Sequence, residues 1–493
     1  LHPEDQQRVV DAALRRHLSA FIQRSFAEVV PGSPFVHNWH LDAMAYALEQ
    51  VATGDILRLV ITVPPRHLKS LSASVGFVAW LLGQDPTRRI ITVSYGEDLA
   101  AKHALDCRRI MESAWYRRVF PHTRLSKTKN TEGEYVTTQG GYRYSTSVGG
   151  AITGRGGTLM ILDDPLKPAD GLSEPRRTAV NDFFDNTLYS RIDNKGTDPI
   201  ILVMQRIHED DLVAHVMAQE PWVQLNLPAI ATADEDIPVG PDKVYRRRAG
   251  EPLQVERESL EVLARTRRIL GSYQFSAQYQ QEPIPPGGGL LKWHWFRRYE
   301  RAPGRRPGDY VLQSWDTACV PGETNDYSVC ITALIRGQDV YLLKIYRVRV
   351  EYPDLRKLVL EKMTLTGPDE VIIEAADAGR QLVQELRRMD LPGRPRLQCC
   401  VPKDSKVVRM AAQSAKLEAG RVYIPRDGDW LADFQREVLQ FPKGKHDDQI
   451  DALSQLLYRL DCGALWHRQR GFDPPEEPDD PPPRRLRAGL NLG

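Results

Sequence analysis

One interruption constrains this chain more than any other feature of its sequence. Pro283-Ile284-Pro285-Pro286-Gly287-Gly288-Gly289 sets stiff prolines beside glycines without side chains, so it reads as a linker. Before it, apolar β-rich runs alternate with helical patterns, which indicates a parallel sheet flanked by helices, and after it the order of elements changes, which indicates a second α/β domain of a different type. Two domains are therefore expected, and 493 residues suffice for each to bury its own core. The expected division is 1–282, a linker over 283–289, a second domain over 290–471 and a tail over 472–493. In that tail Pro and charge leave almost nothing apolar to bury, so disorder is expected.

Composition removes several function classes. Lys plus Arg is 66 against 65 for Asp plus Glu, a net charge of +1, so the chain is no polycation that coats nucleic acid. The six cysteines (Cys107, Cys319, Cys330, Cys399, Cys400 and Cys462) include no C-x-x-C pair, against a zinc ribbon or a disulfide framework and in keeping with a reducing cytosol. No run of about 18 apolar residues occurs, so no membrane span is expected. The polar start, Leu1 to Arg16, mixes acids with bases and reads as neither a signal nor a transit peptide.

Before the linker, Leu57–Val63, Arg89–Tyr95, Thr158–Asp163 and Ile200–Gln205 read as strands, with helices from about Lys69 and through Met111. The first strand runs into Pro64-Pro65-Arg66-His67-Leu68-Lys69-Ser70 and then a helix. That is the setting of a phosphate-binding loop, in which backbone N–H groups at the helix N-terminus hold phosphates, with Pro65, Arg66, His67, Leu68, Lys69 and Ser70 as the expected nucleotide-binding stretch. Lys69 would neutralise the β- and γ-phosphates and Ser70 would ligate magnesium. The spacing departs from G-x-x-x-x-G-K-[ST]: Leu68 stands where the second Gly is usual and Val63 where the first is. The apolar run Leu159-Met160-Ile161-Leu162 ends in Asp163-Asp164, as a Walker B strand does. Asp163 would hold magnesium through water, and Asp164 takes the place of the catalytic base, more often Glu. Together the two features indicate an ATPase of the P-loop, ASCE/RecA-like class. The loop Gln205-Arg206-Ile207-His208 is placed to sense a γ-phosphate, and Arg66, Arg155 and Arg206 are candidate arginine fingers. His37-Asn38-Trp39-His40 and Gln50 are candidates for an adenine pocket, with core packing the favoured role for Trp39.

After the linker, Tyr310–Asp316, Ser328–Ile335 and Val340–Arg347 read as three successive strands. Further strands follow at Glu370–Glu374 and Leu397–Val401, and a last helix at Asp447–Leu460. Such an order suggests a mixed sheet. Acids stand at the element ends: Asp316, Glu374, and Asp447 with Asp448 in His446-Asp447-Asp448-Gln449-Ile450-Asp451-Ala452. Acids from a first strand, a later strand and a final helix converge on one rim in RNase H-like nucleases. Two divalent ions about 3.5–4 Å apart there activate a water and stabilise the leaving oxygen. Carboxylate ligands favour magnesium or manganese over zinc. Either Asp447 or Asp448 is the primary ligand, and Asp377 and Asp451 are further candidates.

Basic clusters at Arg246-Arg247-Arg248, Arg297-Arg298 with Arg301, Lys403 with Lys406 and Arg409, and Lys443 with Lys445 could hold a phosphate backbone. Aromatic residues interleave only at Trp293-His294-Trp295-Phe296, and no helix-turn-helix or zinc-finger spacing occurs. DNA contact would be chiefly to phosphates and salt-sensitive.

An ATPase, a Pro-Gly linker and a two-metal nuclease in one chain resemble the large terminase subunit of tailed bacteriophages, over roughly His37 to Leu460. The stretch Pro64 to Ser70 looks like that family's variant P-loop, and Leu162-Asp163-Asp164-Pro165 like its Walker B. Met204 to Leu212 looks like its coupling motif, Phe275 to Pro283 like the segment leading out of its ATPase domain, and His446 to Ala452 like its last nuclease motif. The resemblance implies a DNA-packaging motor: a ring of subunits, a pentamer, on the portal protein of an empty capsid. ATP hydrolysis would move double-stranded DNA inward, the nuclease would cut concatemers, and a small terminase subunit would select the DNA. The implied location is the cytoplasm of the infected or host bacterium and, transiently, the portal vertex; prophages and gene transfer agents share this architecture. A helicase-nuclease of repair or restriction is the first rival, although only one P-loop candidate is present. A DNA-binding or capsid protein with decayed sites is the second, favoured by Leu68.

Overall fold

The computed structural model describes residues 2–152, 154–284, 290–317, 327–375, 377–391, 393–402, 404–442, 444 and 446–461. Residues 285–289 of the expected linker and the whole expected tail lie outside these residues, as do Cys319, Cys462, Lys403, Lys443, Lys445 and the side chain of Asp377. The chain gathers into two compact units. One is Leu1–Trp295 with Asp404–Gly420 and Val438–Lys445; the other is Phe296–Lys403 with Arg421–Glu437 and His446–Gly493. Among the described residues no helix is long and apolar enough to cross a membrane.

The first unit is built on eight strands: β1 Arg58–Thr62, β2 Arg89–Ser94, β3 Leu125–Asn130, β4 Glu134–Thr137, β5 Tyr142–Ser147, β6 Leu159–Asp163, β7 Ile200–Met204 and β8 Val223–Asn226. Their order is β3-β4-β5-β2-β6-β7-β1-β8. From β5 to β8 every pairing is parallel, and only the β3–β4–β5 edge is antiparallel. The reason is in the residues: β1, β6 and β7 are buried at every position. Leu59, Ile61, Ile161 and Val203 join one core, while Val60, Met160, Leu162 and Leu202 join another. Both faces are thus covered, as parallel strands require. The helices Pro3–Arg16, Leu18–Val29 and Trp39–Thr53 form the N-terminal helical segment, and Phe21, Ile22, Met44 and Leu48 enter the first of these cores. Strand β7 stands between β1 and β6, the additional strand that defines the ASCE arrangement.

The helix expected from about Lys69 begins there, winds as π-helix over Leu71–Gly76 and continues as α-helix over Phe77–Gln84. The buried Arg143 guanidinium donates to Ser74 O at 2.6 Å, and a side chain inserted into the backbone ladder accounts for the wider winding. The hairpin β9 Glu235–Gly240 and β10 Lys243–Arg247 was not anticipated from the sequence.

The second unit holds β11 Arg297–Tyr299, β12 Tyr310–Asp316, β13 Ser328–Arg336, β14 Asp339–Val348, β15 Glu370–Glu374, β16 Arg396–Cys400 and β17 Val422–Pro425, ordered β11-β17-β14-β13-β12-β15-β16. Strands β12, β13 and β14 are antiparallel, while β15 and β16 run parallel to β12. This is the mixed sheet of an RNase H-like domain. Trp315, Cys330, Val371 and Ile373 pack with Leu355, Val359 and Met363 of helix Tyr352–Thr366.

Candidate functional sites

The nucleotide site follows from strand register. Asp163 pairs with Val203, and Val203 with Ile61, so the three strands end level and release their loops at one edge. The phosphate loop leaves β1 there, Asp164 leaves β6 and Gln205 leaves β7. Within the loop Arg66 has φ 70° and Leu68 φ 60°, both in the left-handed region. Leu68 therefore adopts the conformation for which Gly is usual, at a steric cost of about 1–2 kcal/mol; its side chain rests against the first core.

The charges of this site close on one another. Lys69 Nζ lies 2.8 Å from Asp164 Oδ2, and Ser70 Oγ donates to Asp163 Oδ1 at 3.0 Å. Asp164 Oδ1 accepts from Gln205 N at 3.2 Å, which ties the acid to the β7 loop. Burial pushes both carboxyls above the usual range, against the pull of Lys69. His103, which sequence reasoning missed, places Nδ1 3.5 Å from Asp163 Oδ2. Burial holds it neutral, at a pKa of about 4. His67 is also buried, with a pKa pushed down to about 4 by burial. Its Nδ1 faces Pro65 O at 3.1 Å and its Nε2 lies 3.7 Å from Glu258.

A cavity of about 620 Å³ opens onto Lys69, Ser70, Asp164 and Gln205, within the range of ligand pockets. Phe26, Val29, Val30 and Pro34 supply its apolar lining. His37, Asn38, Trp39, His40 and Gln50 are not among its lining residues. Trp39 instead stacks on Tyr245 at 4.4 Å with planes 8° apart, and so packs as favoured. Of the three candidate arginines, Arg66 lines the cavity. Arg206 donates from Nε to both Asp211 oxygens at 3.0 and 2.8 Å, and Arg155 pairs with Glu134 at 2.7 Å. Arg257 lines the cavity too, and no motif marks it in the sequence.

The acid rim also follows from register. Trp315 pairs in parallel with Ile373, so Asp316 and Glu374 follow at the adjacent ends of β12 and β15. Two contacts orient the last helix, Asp448–Asp461. Arg459 Nε donates to Glu370 Oε1 at 2.8 Å, at the start of β15, and Gln455 Nε2 donates to Ser314 Oγ at 3.0 Å, near the end of β12. The helix therefore runs antiparallel to both strands, and its N-terminus brings Asp451, Asp448 and Asp447 toward the end that carries Asp316 and Glu374. Asp451 and Asp448 are buried, while Asp316, Glu374 and Asp447 are half-buried. Glu437, missed in the sequence, caps this helix: Oε1 accepts from Gln449 N at 2.6 Å and Ile450 N at 3.0 Å. Arg347 Nη2 stands 3.6 Å from Asp448 Oδ2. The donor set is carboxylate oxygen throughout, which fits magnesium or manganese. Among the described residues, three ligating groups within 4.8 Å of one another occur at His208, Glu209 and Asp210; the rim acids are spread wider.

The basic clusters are less available than their sequence suggests. Arg248 pairs with Asp234 at 2.6 Å and Arg246 faces Asp236 at 3.6 Å, while Arg247 is buried and donates to Pro228 O at 2.7 Å. Arg297 and Arg298 donate to Tyr423 and Pro425 O of β17.

Residues 313–460 match the family described as terminase RNaseH-like domain. Comparison with curated proteins finds none that matches. Similar solved structures include the large terminase of a thermophilic bacteriophage, at 12% identity and TM-score 0.49, covering 83% of this chain and 98% of that one. The bacteriophage HK97 large terminase has 12% identity and TM-score 0.36, covering 83% and 90%. The large terminase nuclease of thermophilic phage G20c has 18% identity and TM-score 0.26, covering 35% and 95%. The stretch from Gln313 to Leu460, with every acid of the rim inside it, is a terminase RNaseH-like domain.

Proposed function

We propose that this chain is a DNA-packaging motor subunit, a large terminase that hydrolyses ATP to move double-stranded DNA into a capsid and cuts it with a two-metal endonuclease. One observation carries the reading: a closed phosphate-loop site and an RNase H-like acid rim occur in one chain, the rim within a terminase-type domain. The proposed cofactors are ATP and magnesium, with manganese also suited to the rim. The proposed partners are double-stranded DNA, a small terminase subunit, a portal protein and further copies in a ring, a pentamer, in the bacterial cytoplasm and at the portal vertex.

At the nucleotide site the residues divide the work. Lys69 exchanges its contact with Asp164 for phosphate oxygens, and the carboxylate so released accepts a proton from the attacking water. Ser70 and Asp163 would hold magnesium, which would supply charge neutralisation on the phosphates. The Asp164–Gln205 hydrogen bond carries the change to the β7 loop. At the rim, Asp316, Glu374 and Asp448, with Asp447 beside them, would hold divalent ions, which would supply activation of a water and charge neutralisation at the leaving oxygen.

Crossing Lys69→Ala with Asp316→Asn tests the reading. Lys69→Ala should abolish ATP hydrolysis and leave magnesium-dependent plasmid cleavage within a few-fold. Asp316→Asn should do the reverse, and a chelator should stop both. If either substitution leaves its own activity intact in folded protein, the corresponding half of the proposal fails.

A further inference from the structure

We propose that Arg347 is a phosphate-binding residue of the acid rim, the group that holds the backbone phosphate of a nucleic-acid strand against the carboxylates. The inference rests on the nuclease reading above and adds a residue to which no motif pointed.

Register places it there. Asp316 pairs with Val329 on β13, and Val329 pairs with Arg347 on β14. Residues opposite one another across antiparallel strands share a face, so Asp316 and Arg347 lie on the same face, two strands apart. Ser314 is on that face as well, two residues before Asp316, and its hydroxyl accepts from Gln455 of the last helix. The face is thus the one that this helix covers, and Arg347 Nη2 comes within 3.6 Å of Asp448 Oδ2 at the helix start.

The guanidinium is held but not satisfied. The Tyr327 ring lies 3.6 Å from Arg347 Cζ, and Arg349 stands 4.1 Å from the same ring. The ring of His446, just before the acids of the last helix, meets Tyr327 edge-on at 5.4 Å. Stacking fixes the plane of the fork, yet its Nε and Nη2 are buried and make no hydrogen bond among the described residues. The acids that face it are Asp448, beyond hydrogen-bond reach at 3.6 Å, and Glu437, whose oxygens already accept from Gln449 and Ile450. Buried donors left unmet are costly, and a planar fork of N–H groups matches the oxygens of a phosphate. A rim of carboxylates alone repels a polyanion, so a fixed cation at its edge supplies the attraction the acids lack.

A purely structural role would be to balance Asp448 and Glu437, and the test separates the two. Duplex DNA binding is measured across a salt series with the full chain in an Asp316→Asn background, with and without Arg347→Gln. Melting temperature and ATP hydrolysis serve as folding controls. The expected result is binding weaker by roughly 10- to 100-fold. The slope of log affinity against log salt should also fall by about one, at unchanged melting temperature. Equal affinity and equal slope overturn the proposal, and so does a lowered melting temperature with an unchanged slope. Should Arg347→Gln fail to fold, Arg347→Lys decides. A raised KM for DNA in cleavage at unchanged melting temperature supports the phosphate contact, and an unchanged KM overturns it. The nuclease reading fails separately, on undiminished cutting by Asp316→Asn alone.

Discussion

At the candidate nucleotide site the acids meet partners at the end of the phosphate loop: Lys69 at 2.8 Å from Asp164 and Ser70 at 3.0 Å from Asp163, the first of each pair following β1 and the second at the end of β6, with only β7 between those strands. At the rim the acids come from β12, β15 and the last helix, and Arg347 on a fourth element stands 3.6 Å from Asp448. The first site is compact and internally neutralised. The second is wide and acid-rich, assembled by register from residues far apart in the chain. The first therefore depends on a few adjacent side chains, whereas the second depends on the sheet and on the cap that orients its helix.

The largest expected effect tests how far the first site depends on a single carboxylate. Asp164 sits at φ 45°, which Asn tolerates, so Asp164→Asn preserves the backbone while removing the proposed base. ATP hydrolysis should fall by about 10²- to 10⁴-fold in kcat with KM for ATP little changed. An unchanged kcat in steady-state assays would assign the base elsewhere and dissolve the contrast between a self-contained site and an assembled one.

At the rim the expected effect is smaller and graded by burial. Asp448 is buried in the first turn of its helix near Arg347, while Asp447 is half-buried before it. Asp448→Asn should lower the cleavage rate by roughly 100-fold or more, and Asp447→Asn by less than about tenfold. The reverse ranking, read from plasmid cleavage at saturating magnesium, would make Asp447 the primary ligand.

Acid should separate the two units next. In the first unit His40, His67 and His103 are held neutral by burial, with pKa values near 3, 4 and 4 against 6.5 unfolded. Their folded pKa values are depressed, so the stability they contribute is present above pH 6.5 and lost as pH falls toward 4. With up to three protons taken up on unfolding, the slope reaches up to about 4 kcal/mol per pH unit. Asp163 and Asp164, raised by burial, bind protons in the folded state and offset part of it. Calorimetry between pH 7 and 4 should show the first unit's transition falling with pH, and His103→Asn should flatten that fall. A transition that does not move would mean these histidines are solvated.

The same contrast decides what could be read from the sequence. The phosphate loop, Asp163-Asp164 and the strands that carry them are local patterns, and so are the rim acids, because Asp316 and Glu374 end apolar runs and Asp447 and Asp448 open a helical one. Strands Tyr310–Asp316 and Glu370–Glu374 were legible to the residue for that reason. His103, Glu437 and Arg347 were not, since each meets a partner on another element, and neither was Arg257, which reaches the cavity only through the fold; each resembles an ordinary helix, loop or strand residue in isolation. Two of the arginine candidates, Arg206 and Arg155, are held by partners that the sequence does not single out. Nothing near Arg206 in the sequence ranks Asp211 above Asp210 as its partner, and nothing near Arg155 indicates Glu134. The π-helical turn after Ser70 depends on Arg143, which lies on another strand of the sheet.

The smallest expected effect concerns the residue that most weakened the phosphate-loop reading. Leu68 replaces the usual Gly yet takes φ 60°, so its backbone already does what Gly would do. Leu68→Gly removes a left-handed strain of about 1–2 kcal/mol and also a partly buried side chain worth a similar amount. The net change in stability should stay within about 1 kcal/mol, and KM for ATP within about fivefold. If the substitution instead destroys hydrolysis while the protein stays folded, the Leu68 side chain, and not the loop backbone, holds the cradle in shape. The nucleotide site would then depend on core packing in the way the rim depends on its sheet, and the comparison between the two would lose its basis.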